Sequence, residues 1–575
     1  MGSTVDLTAS PYDLDRDQID WVESTIAGMS DEEKVGQLFF NLFHFGGDSF
    51  GGNDLSNREI LERFHIGGAR YHGGDAAQIQ ALINEIQANT KIPLLIAANF
   101  EMGTRGGCNG GTYVATAAQA VASGDPEVAY DTGLVSAREG AALGVNVNFW
   151  PCVDILMDWR NTIINSRAFG TTADEVITYS DALRRGWTAE HEMITCIKHF
   201  PGDGVEERDQ HLILGINDLS VDEWEATFGT VYRHHIDAGV EMIMAGHIAL
   251  PAYQQHLNPD LTDADILPAS LAPELIDDLL KTRLGFNGLV VTDASHMLGM
   301  TSAMRRADQV PGAIAAGCDM FLFFNDLEED FGYMLAGYRN GTISEERMID
   351  ALRRILGLKA KLRLIQRQTA GELVGTTDEL AAIGAPDHLE RQRRAADLAI
   401  TLVKDTAGNL PIRPETQRRI RLYYLDGGEK NAIFASGTPA LQVIVAELES
   451  RGFEVTVNDN DQRVKGKVED YRNRVDAALV FSNVRGYAAE NVYRIRWSIP
   501  MSNACPWYVH EVPTVFVSLN YTTHLYDVPM VKTYINAYDD NPETIRQVIS
   551  KIMGDSKFTG LYNDHVWAGQ WQSRL

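Results

Sequence analysis

The residues of this chain best suited to catalysis are one aspartate at the end of a hydrophobic run and one Asp-x-His pair. Asp293 ends the run in "GLVVTDAS" (288–295), so a buried strand would hold its carboxylate rigidly, as a nucleophile requires. Asp209 and His211 lie in a charged loop, where the carboxylate can orient the imidazole for acid and base catalysis. On these segments alone, Asp293 could equally be a helix N-cap, and the pair could belong to a solvated loop.

Such side chains need a scaffold that brings them together, and the hydrophobic pattern predicts one. Short apolar runs alternate with longer amphipathic stretches, which is typical of buried parallel strands joined by helices. The clearest strand-like runs are 92–100, 144–151, 192–200, 239–247, 287–295 and 318–326. This repetition over roughly 350 residues predicts a (β/α)8 barrel of the TIM type, whose active site lies at the carboxyl ends of its strands.

Polar or ionisable side chains follow the ends of all six runs. They are Asn99 and Glu101, Asn148 to Asp154, Lys198 and His199, His247, Asp293, and Asn325 and Asp326. Core packing does not explain polar groups at every strand end, so we expect them to line one pocket. Carboxylates, amides and cations together suit a polyhydroxylated ligand such as a sugar. The phosphate-binding pattern GxxxxGK(S/T) is absent, and no GxGxxG opens a helix after a strand.

The chain is too long for one ordinary core, and the pattern predicts a second domain. The segment 366–395 is charged and has the composition of a linker with some helix. Six short β-rich runs with helical stretches between them follow it, which predicts a smaller α/β sandwich. We therefore divide the chain into a barrel at 1–365, a linker at 366–395 and a sandwich domain at 396–575.

Composition restricts the partners and the compartment that we expect. The net charge of −29 disfavours nucleic acid and anionic membranes as partners, although acidity alone could also reflect the general protein composition of the host. The N-terminal segment lacks the basic start and apolar run of a signal peptide, and no apolar run is long enough to span a membrane. Five single cysteines without a CxxC pair fit a reducing compartment. We expect a cytoplasmic protein.

Several motifs resemble glycoside hydrolase family 3 and, within it, the β-N-acetylglucosaminidase branch. "KHFPGDGVEERDQH" (198–211) is similar to that branch's Lys-His-Phe-Pro-Gly-x-Gly followed by Asp-x-His. The segment 268–297 is similar to the one that carries the family's nucleophile, while "NVNFWPCVDI" (146–155) and "NSRAFG" (165–170) resemble its sugar-binding strand end and arginine turn. The similarity covers most of residues 20–360 and continues more weakly into the second domain.

The resemblance implies a retaining, exo-acting β-N-acetylglucosaminidase that releases terminal N-acetylglucosamine through a covalent glycosyl-enzyme. Asp293 would attack the anomeric carbon. His211, held by Asp209, would protonate the leaving oxygen and later activate the acceptor. A histidine would thus replace the second carboxylic acid that most glycosidases use.

The resemblance also implies which residues bind the non-reducing sugar, namely Lys198, His199 and Arg167. Many relatives have Asp-Gln-Glu-Gly-Gly where this chain has Asn99-Phe100-Glu101-Met102-Gly103. Asn99 therefore replaces the sugar-binding aspartate, and we expect Glu101 to share its role. Met297 is a candidate wall for an acetamido methyl group, or an ordinary core residue.

Other functions stay open at this stage. Phosphate is a possible acceptor, because a histidine base would not repel it as a glutamate would, and the product would then be a sugar 1-phosphate. A β-glucosidase of the same family is the nearest alternative in substrate. A metal-dependent amidohydrolase would need a His-x-His pair on an early strand, which is absent, and a sugar-binding protein would show affinity without turnover. We expect a small β-linked carbohydrate as the ligand, with no cofactor and no metal; the aglycone stays open.

Overall fold

Two α/β domains make up the protein, which we describe from a computed structural model. The structure describes residues 4–43, 55–373, 375–427, 439–484, 488–489 and 491–562. In these ranges, eight parallel strands close into a barrel and six later strands form a separate sheet. The predicted fold class, a (β/α) barrel followed by a smaller α/β domain, is confirmed. None of the helices in these ranges has the length and apolar character needed to cross a bilayer.

Ten strands belong to the first part of the chain. They are β1 (Phe39–Phe43), β2 (Gly68–Tyr71), β3 (Leu95–Ala98), β4 (Val147–Asn148), β5 (Ile194–Phe200), β6 (Gly215–Ile216), β7 (Met242–Ala245), β8 (Ile248–Ala249), β9 (Leu289–Ala294) and β10 (Met320–Leu322). The barrel order is β1-β10-β9-β7-β5-β4-β3-β2, while β6 and β8 pair outside it. All six predicted strands are present, but β1 and β2 were not predicted.

The barrel strands are buried on both faces, as expected where helices cover the outside and side chains fill the inside. All seven residues of β5 are buried, including the two ionisable residues at its end. Their burial means that Lys198 and His199 must be held by polar partners, because an unpaired buried charge costs several kcal/mol or more by transfer estimates. The partners are given below with the site.

Helices surround the barrel in the order expected from the strand-helix alternation. They are α1 (Arg16–Ala27), α2 (Asp31–Gln37), α3 (Asn57–Phe64), α4 (Ala76–Ala88), α5 (Ala117–Ala122), α6 (Glu127–Leu143), α7 (Ala173–Trp187), α8 (Val221–Ala226), α9 (Phe228–Asp237), α10 (Pro251–Leu257), a π-helix (Glu274–Arg283), α11 (Leu298–Thr301), α12 (Arg306–Ala315), α13 (Leu327–Arg339) and α14 (Glu345–Lys361). Then α15 (Leu364–Ala370) and α16 (Pro386–Ala399) lead into the second domain.

The second domain contains a six-stranded, mostly parallel sheet, and all six of its predicted strands are confirmed. The strands are β11 (Thr401–Asp405), β12 (Arg419–Asp426), β13 (Glu454–Val457), β14 (Ala477–Asn483), β15 (Thr514–Ser518) and β16 (Thr533–Asn536). Their order is β11-β16-β15-β14-β12-β13, and only the pairing of β11 with β16 is antiparallel. The helices of this domain are α17 (Ala440–Ser450), α18 (Val468–Arg472) and α19 (Pro542–Ile552). The domain boundaries at 365 and 395 remain predictions.

The second domain packs on the carboxyl-terminal rim of the barrel through the loop that follows β4. The hydroxyl of Tyr521 donates to the carbonyl of Asn161 over 3.0 Å. The ring of Trp159 lies 4.4 Å from that of Tyr526, measured between centroids. Since this rim carries the strand ends, the second domain lies next to the predicted pocket.

Candidate active site

A buried cluster of three charged side chains joins β5 to the loops after β3 and β4. Arg167 donates from Nε and Nη2 to the two carboxylate oxygens of Glu101, over 2.9 and 2.8 Å. Lys198 donates from Nζ to Oε1 of Glu101 over 3.0 Å. The exposed fraction of each of these side chains is 9% or less. Glu101 thus fixes two cations whose other N–H groups are suited to sugar hydroxyls.

Replacing Glu101 by glutamine is expected to lower the free energy of unfolding by about 3–5 kcal/mol, because two buried cations would lose their counterion. Urea unfolding of both proteins measures this difference. Glu190→Gln is a matched control, since Glu190 also accepts a bidentate pair of hydrogen bonds, from Arg138, but is 44% exposed. The control should lose no more than about 1 kcal/mol. Equal losses for the two variants would contradict a role for burial.

His199 is held between two carboxylates. Its Nδ1 lies 2.7 Å from Oδ2 of Asp154, and its backbone N–H donates to Oδ1 of the same residue over 3.1 Å. Its Nε2 lies 3.8 Å from Oδ2 of Asp293. The buried Asp154 therefore orients the ring so that its other nitrogen faces the nucleophile candidate.

Asp293 lies at the end of β9 with its side chain 15% exposed. The backbone N–H of Ala294 donates to its Oδ1 over 2.7 Å. Burial opposes ionisation of this carboxyl, but the nearby imidazoles of His199, His247 and His211 outweigh burial and hold its pKa below the ordinary value. The next helix, α11, has Met297 as its N-cap. The alternative that Asp293 is the N-cap is therefore wrong, and the ionised carboxylate is available as a nucleophile.

Among the interactions that lower the pKa of Asp293, the one with His199 is the largest. His199→Gln should therefore raise that pKa. The acid limb of kcat/KM should then move to higher pH, since the Asp293 carboxylate becomes protonated earlier as the solution is acidified. A profile of kcat/KM against pH on a nitrophenyl glycoside measures the shift. His234→Gln, on α9, is the control and should leave the limb in place, because Nε2 of His234 lies 3.6 Å from Oδ1 of Asp181 rather than beside Asp293. An unmoved limb in the His199 variant would contradict the assignment.

His247 supports the same strand end, where the sequence predicts only a polar pocket residue. It is fully buried, with Nδ1 2.8 Å from Oγ of Ser270 and Nε2 2.9 Å from the carbonyl oxygen of Ala294. Burial lowers its pKa. His247 thus fixes the backbone beside Asp293, a role that depends on tertiary contacts and has no signal in the sequence.

Asp209 and His211 form the expected pair. Oδ1 of Asp209 lies 2.7 Å from Nδ1 of His211 and accepts the backbone N–H of His211 over 2.8 Å. The carboxylate is fully buried, whereas the imidazole is 32% exposed. With Nδ1 held by the carboxylate, Nε2 is the nitrogen that can exchange a proton with a ligand.

The two remaining candidates lie around this cluster. Asn99 accepts a hydrogen bond from Nε of Arg70 over 3.1 Å. It lines a cavity of about 300 Å³ at the junction of the two domains, together with Glu101, Arg167 and Asn520. Met297 is 4% exposed. Contact of Met297 with an acetamido group, and the sugar-binding roles of the other residues, stay predictions.

One part of the site also has the composition of a metal site. Single atoms of Cys152, Asp154 and His199 lie within 4.8 Å of one another. Burial raises the pKa of the Cys152 thiol well above its usual range, against the opposing charges of Arg167 and Lys198. The Asp154 carboxylate already contacts both the backbone N–H and Nδ1 of His199, so its role in this structure is to orient that ring.

Residues 31–358 match the family model described as "Glycosyl hydrolase family 3 N terminal domain". The chain belongs to glycosyl hydrolase family 3. This confirms the resemblance seen in the motifs, and the protein is a glycoside hydrolase. Over 578 aligned residues, this family 3 enzyme is 40% identical to a "Beta-N-acetylglucosaminidase/beta-glucosidase" of Cellulomonas fimi, with 99% of this chain and 100% of the relative covered.

Two further relatives of the family 3 enzyme are informative. A solved structure named "Beta-glucoside phosphorylase BglX bound to 2FGlc" is 36% identical, with a TM-score of 0.90 and coverage of 96% of this chain and 98% of the other. A "Beta-hexosaminidase" of Vibrio cholerae is 33% identical over 289 residues, which are 48% of this chain and 81% of the relative. The first relative matches both domains, whereas the second matches about half of this chain.

Proposed function

We propose that this family 3 enzyme is a retaining, exo-acting β-N-acetylglucosaminidase, with β-glucosides as a second substrate class. The observation that carries the proposal is that Asp293, at the end of β9, and the Asp209–His211 dyad, in the loop after β5, lie close enough for His211 to help lower the pKa of Asp293. The dual name of the Cellulomonas fimi relative supports both sugars. Other relatives are named beta-hexosaminidases, which favours the acetamido sugar.

In the first chemical step, a carboxylate oxygen of Asp293 forms a bond to the anomeric carbon while the glycosidic C–O bond breaks. The protonated imidazole of His211 gives its proton to the leaving oxygen, and the buried carboxylate of Asp209 stabilises the imidazolium before transfer. In the second step, neutral His211 takes a proton from water, whose oxygen displaces Asp293. Two inversions at the same carbon return the β configuration.

The buried charged cluster would position the sugar during these steps. Lys198 and Arg167 are fixed by Glu101, so little entropy is lost when they donate to ring hydroxyls. His199 lies between the sugar-binding cluster and the nucleophile, where it can both donate to a hydroxyl and stabilise ionised Asp293.

Phosphorolysis is a second candidate, and one specific observation favours it. The relative at a TM-score of 0.90 is named a beta-glucoside phosphorylase. A neutral imidazole at the acceptor position would not repel a phosphate anion, as an ionised carboxylate would. In that case a phosphate oxygen displaces Asp293, and the product is a sugar 1-phosphate with retained configuration.

Turnover of nitrophenyl β-N-acetylglucosaminide and β-glucoside, with and without phosphate, tests these proposals. Free N-acetylglucosamine at a rate independent of phosphate supports the hydrolase. A rate that rises with phosphate, with sugar 1-phosphate identified by NMR, supports the phosphorylase. Binding of both sugars without turnover of either would contradict the proposed function as a whole.

A further inference from the structure

The second domain contacts the acid/base dyad through a backbone N–H group. Ala489 lies between β14 and β15, and its N–H donates to Oδ2 of Asp209 over 2.7 Å. The other oxygen of that carboxylate, Oδ1, already accepts two hydrogen bonds from His211. Because Asp209 is fully buried, bulk water does not solvate Oδ2, and the bond from Ala489 helps to offset its desolvation.

Ala489 is held in a conformation that a non-glycine residue seldom adopts. Its φ is +59°, in the left-handed region, which is unfavourable for a side chain with a Cβ atom. Strained backbone persists where surrounding contacts over-determine it, and it is enriched at functional sites. In this conformation the N–H of Ala489 points at the carboxylate of Asp209, which orients His211.

Arg494, five residues after Ala489 in the chain, contacts both the second domain and the barrel rim. Arg494 forms an ion pair with Asp527. Its guanidinium also lies 5.4 Å from the centroid of Trp159, on the barrel loop after β4, and 4.8 Å from that of Tyr526. The second domain is therefore held against the barrel rim by a residue close in sequence to Ala489.

We propose that Ala489 is a positioning residue of the second domain, whose N–H fixes the Asp209 carboxylate and thereby orients His211 for proton transfer. The inference rests on the proposed function of the dyad. It assigns the second domain a part in proton transfer, although the reacting groups all come from the barrel.

The dependence of kcat/KM on the leaving group distinguishes a role in orienting His211 from a merely structural role. A nitrophenolate departs with little protonation, whereas a methoxide leaving group requires the full help of the acid. Misorientation of His211 should therefore lower kcat/KM far more for the methyl β-glycoside than for the nitrophenyl β-glycoside. Loss of folded enzyme would lower both values by the same factor.

The test variant is Ala489→Pro, which removes the N–H and, because proline cannot adopt a positive φ, also changes the local backbone. We expect kcat/KM to fall about 10- to 100-fold on the methyl glycoside and less than about threefold on the nitrophenyl glycoside, given the cost of leaving a buried charged acceptor unpaired. Ala489→Gly retains the N–H and tolerates the positive φ. The ratio of its kcat/KM values on the two glycosides should therefore equal that of the parent. Val492→Ala, at an exposed residue nearby, is the control for general loop damage and should match the parent.

Two further measurements keep the proposal falsifiable if the proline variant folds poorly. Replacing Ala489 by lactic acid changes the amide to an ester and removes only the N–H, and it should reproduce the leaving-group effect. In an Asp209→Asn background, Ala489→Pro should add less than about twofold, because both changes act through the same carboxylate. Equal losses on both glycosides, or additive losses with Asp209→Asn, would overturn the proposal. An inactive parent enzyme would instead overturn the proposed function.

Discussion

Replacement of Asp293 by glycine is expected to lower kcat on nitrophenyl β-N-acetylglucosaminide by about 10⁴-fold or more, the scale seen when a catalytic nucleophile is removed. In the proposed mechanism this carboxylate forms the bond that the first step requires, and the neighbouring imidazoles cannot replace an oxygen nucleophile at that place. Azide added to the variant should occupy the vacated space. It should then yield the α-glycosyl azide by a single inversion.

The control for this variant is Asp326→Asn, at another strand exit. The strand-end pattern predicts Asp326 in the pocket, but its side chain instead caps α13 by accepting the N–H of Glu329 over 2.9 Å, and asparagine is an equally good N-cap. Its activity should equal that of the parent. A 2-fluoro glycoside should also label the parent enzyme covalently, on the peptide that contains Asp293. Labelling of another carboxylate, or an active glycine variant, would show that Asp293 is not the nucleophile.

Replacement of His211 by alanine is expected to lower kcat/KM on a methyl β-glycoside by about 10²- to 10⁴-fold, the range typical of general acid catalysis. On the nitrophenyl glycoside the first step should survive, because its leaving group needs little protonation. The second step loses its base, so the glycosyl-enzyme should accumulate and nitrophenol should be released in a burst. Rapid-quench kinetics measures the burst.

Azide distinguishes the two variants by the product that each forms. It should rescue the alanine variant of His211 as the β-glycosyl azide, because Asp293 is still present and two inversions occur. The opposite anomer is expected from the glycine variant of Asp293. His256→Ala, an exposed histidine on α10, should behave as the parent. The same anomer from both variants would contradict the assigned roles.

The barrel was predictable because its strands are unusually continuous in hydrophobic character, as in β5 and β9. The strands β1 and β2 were missed for different reasons. The hydrophobic residues of β1, Phe39–Phe43, directly follow α2 and continue its apolar pattern. The four residues of β2 include two small residues and an arginine, so they lack the β-branched signal of a strand.

Motifs indicate which residues belong to the site, but not which hydrogen bonds join them. Motifs single out Asp293, Asp209 and His211, because these residue types follow strand ends at characteristic spacings. The hydrogen bonds of His247 to Ala294 and of Ala489 to Asp209 join residues 47 and 280 positions apart, and no motif indicates that these residues meet. Such contacts depend on how loops and domains pack, which local sequence does not encode.

The position of the second domain on the barrel rim, through Tyr521 and Tyr526, has a consequence for long substrates. A cleft open along both sides would let a polysaccharide slide through and be cut repeatedly, whereas a rim that is covered on one side favours entry of a chain terminus. For an exo-acting enzyme, the initial rate then depends on the molar concentration of chain ends rather than on the mass of polysaccharide. At equal weight concentration below saturation, halving the average chain length should double the rate, while the viscosity of a polymer solution should hardly change.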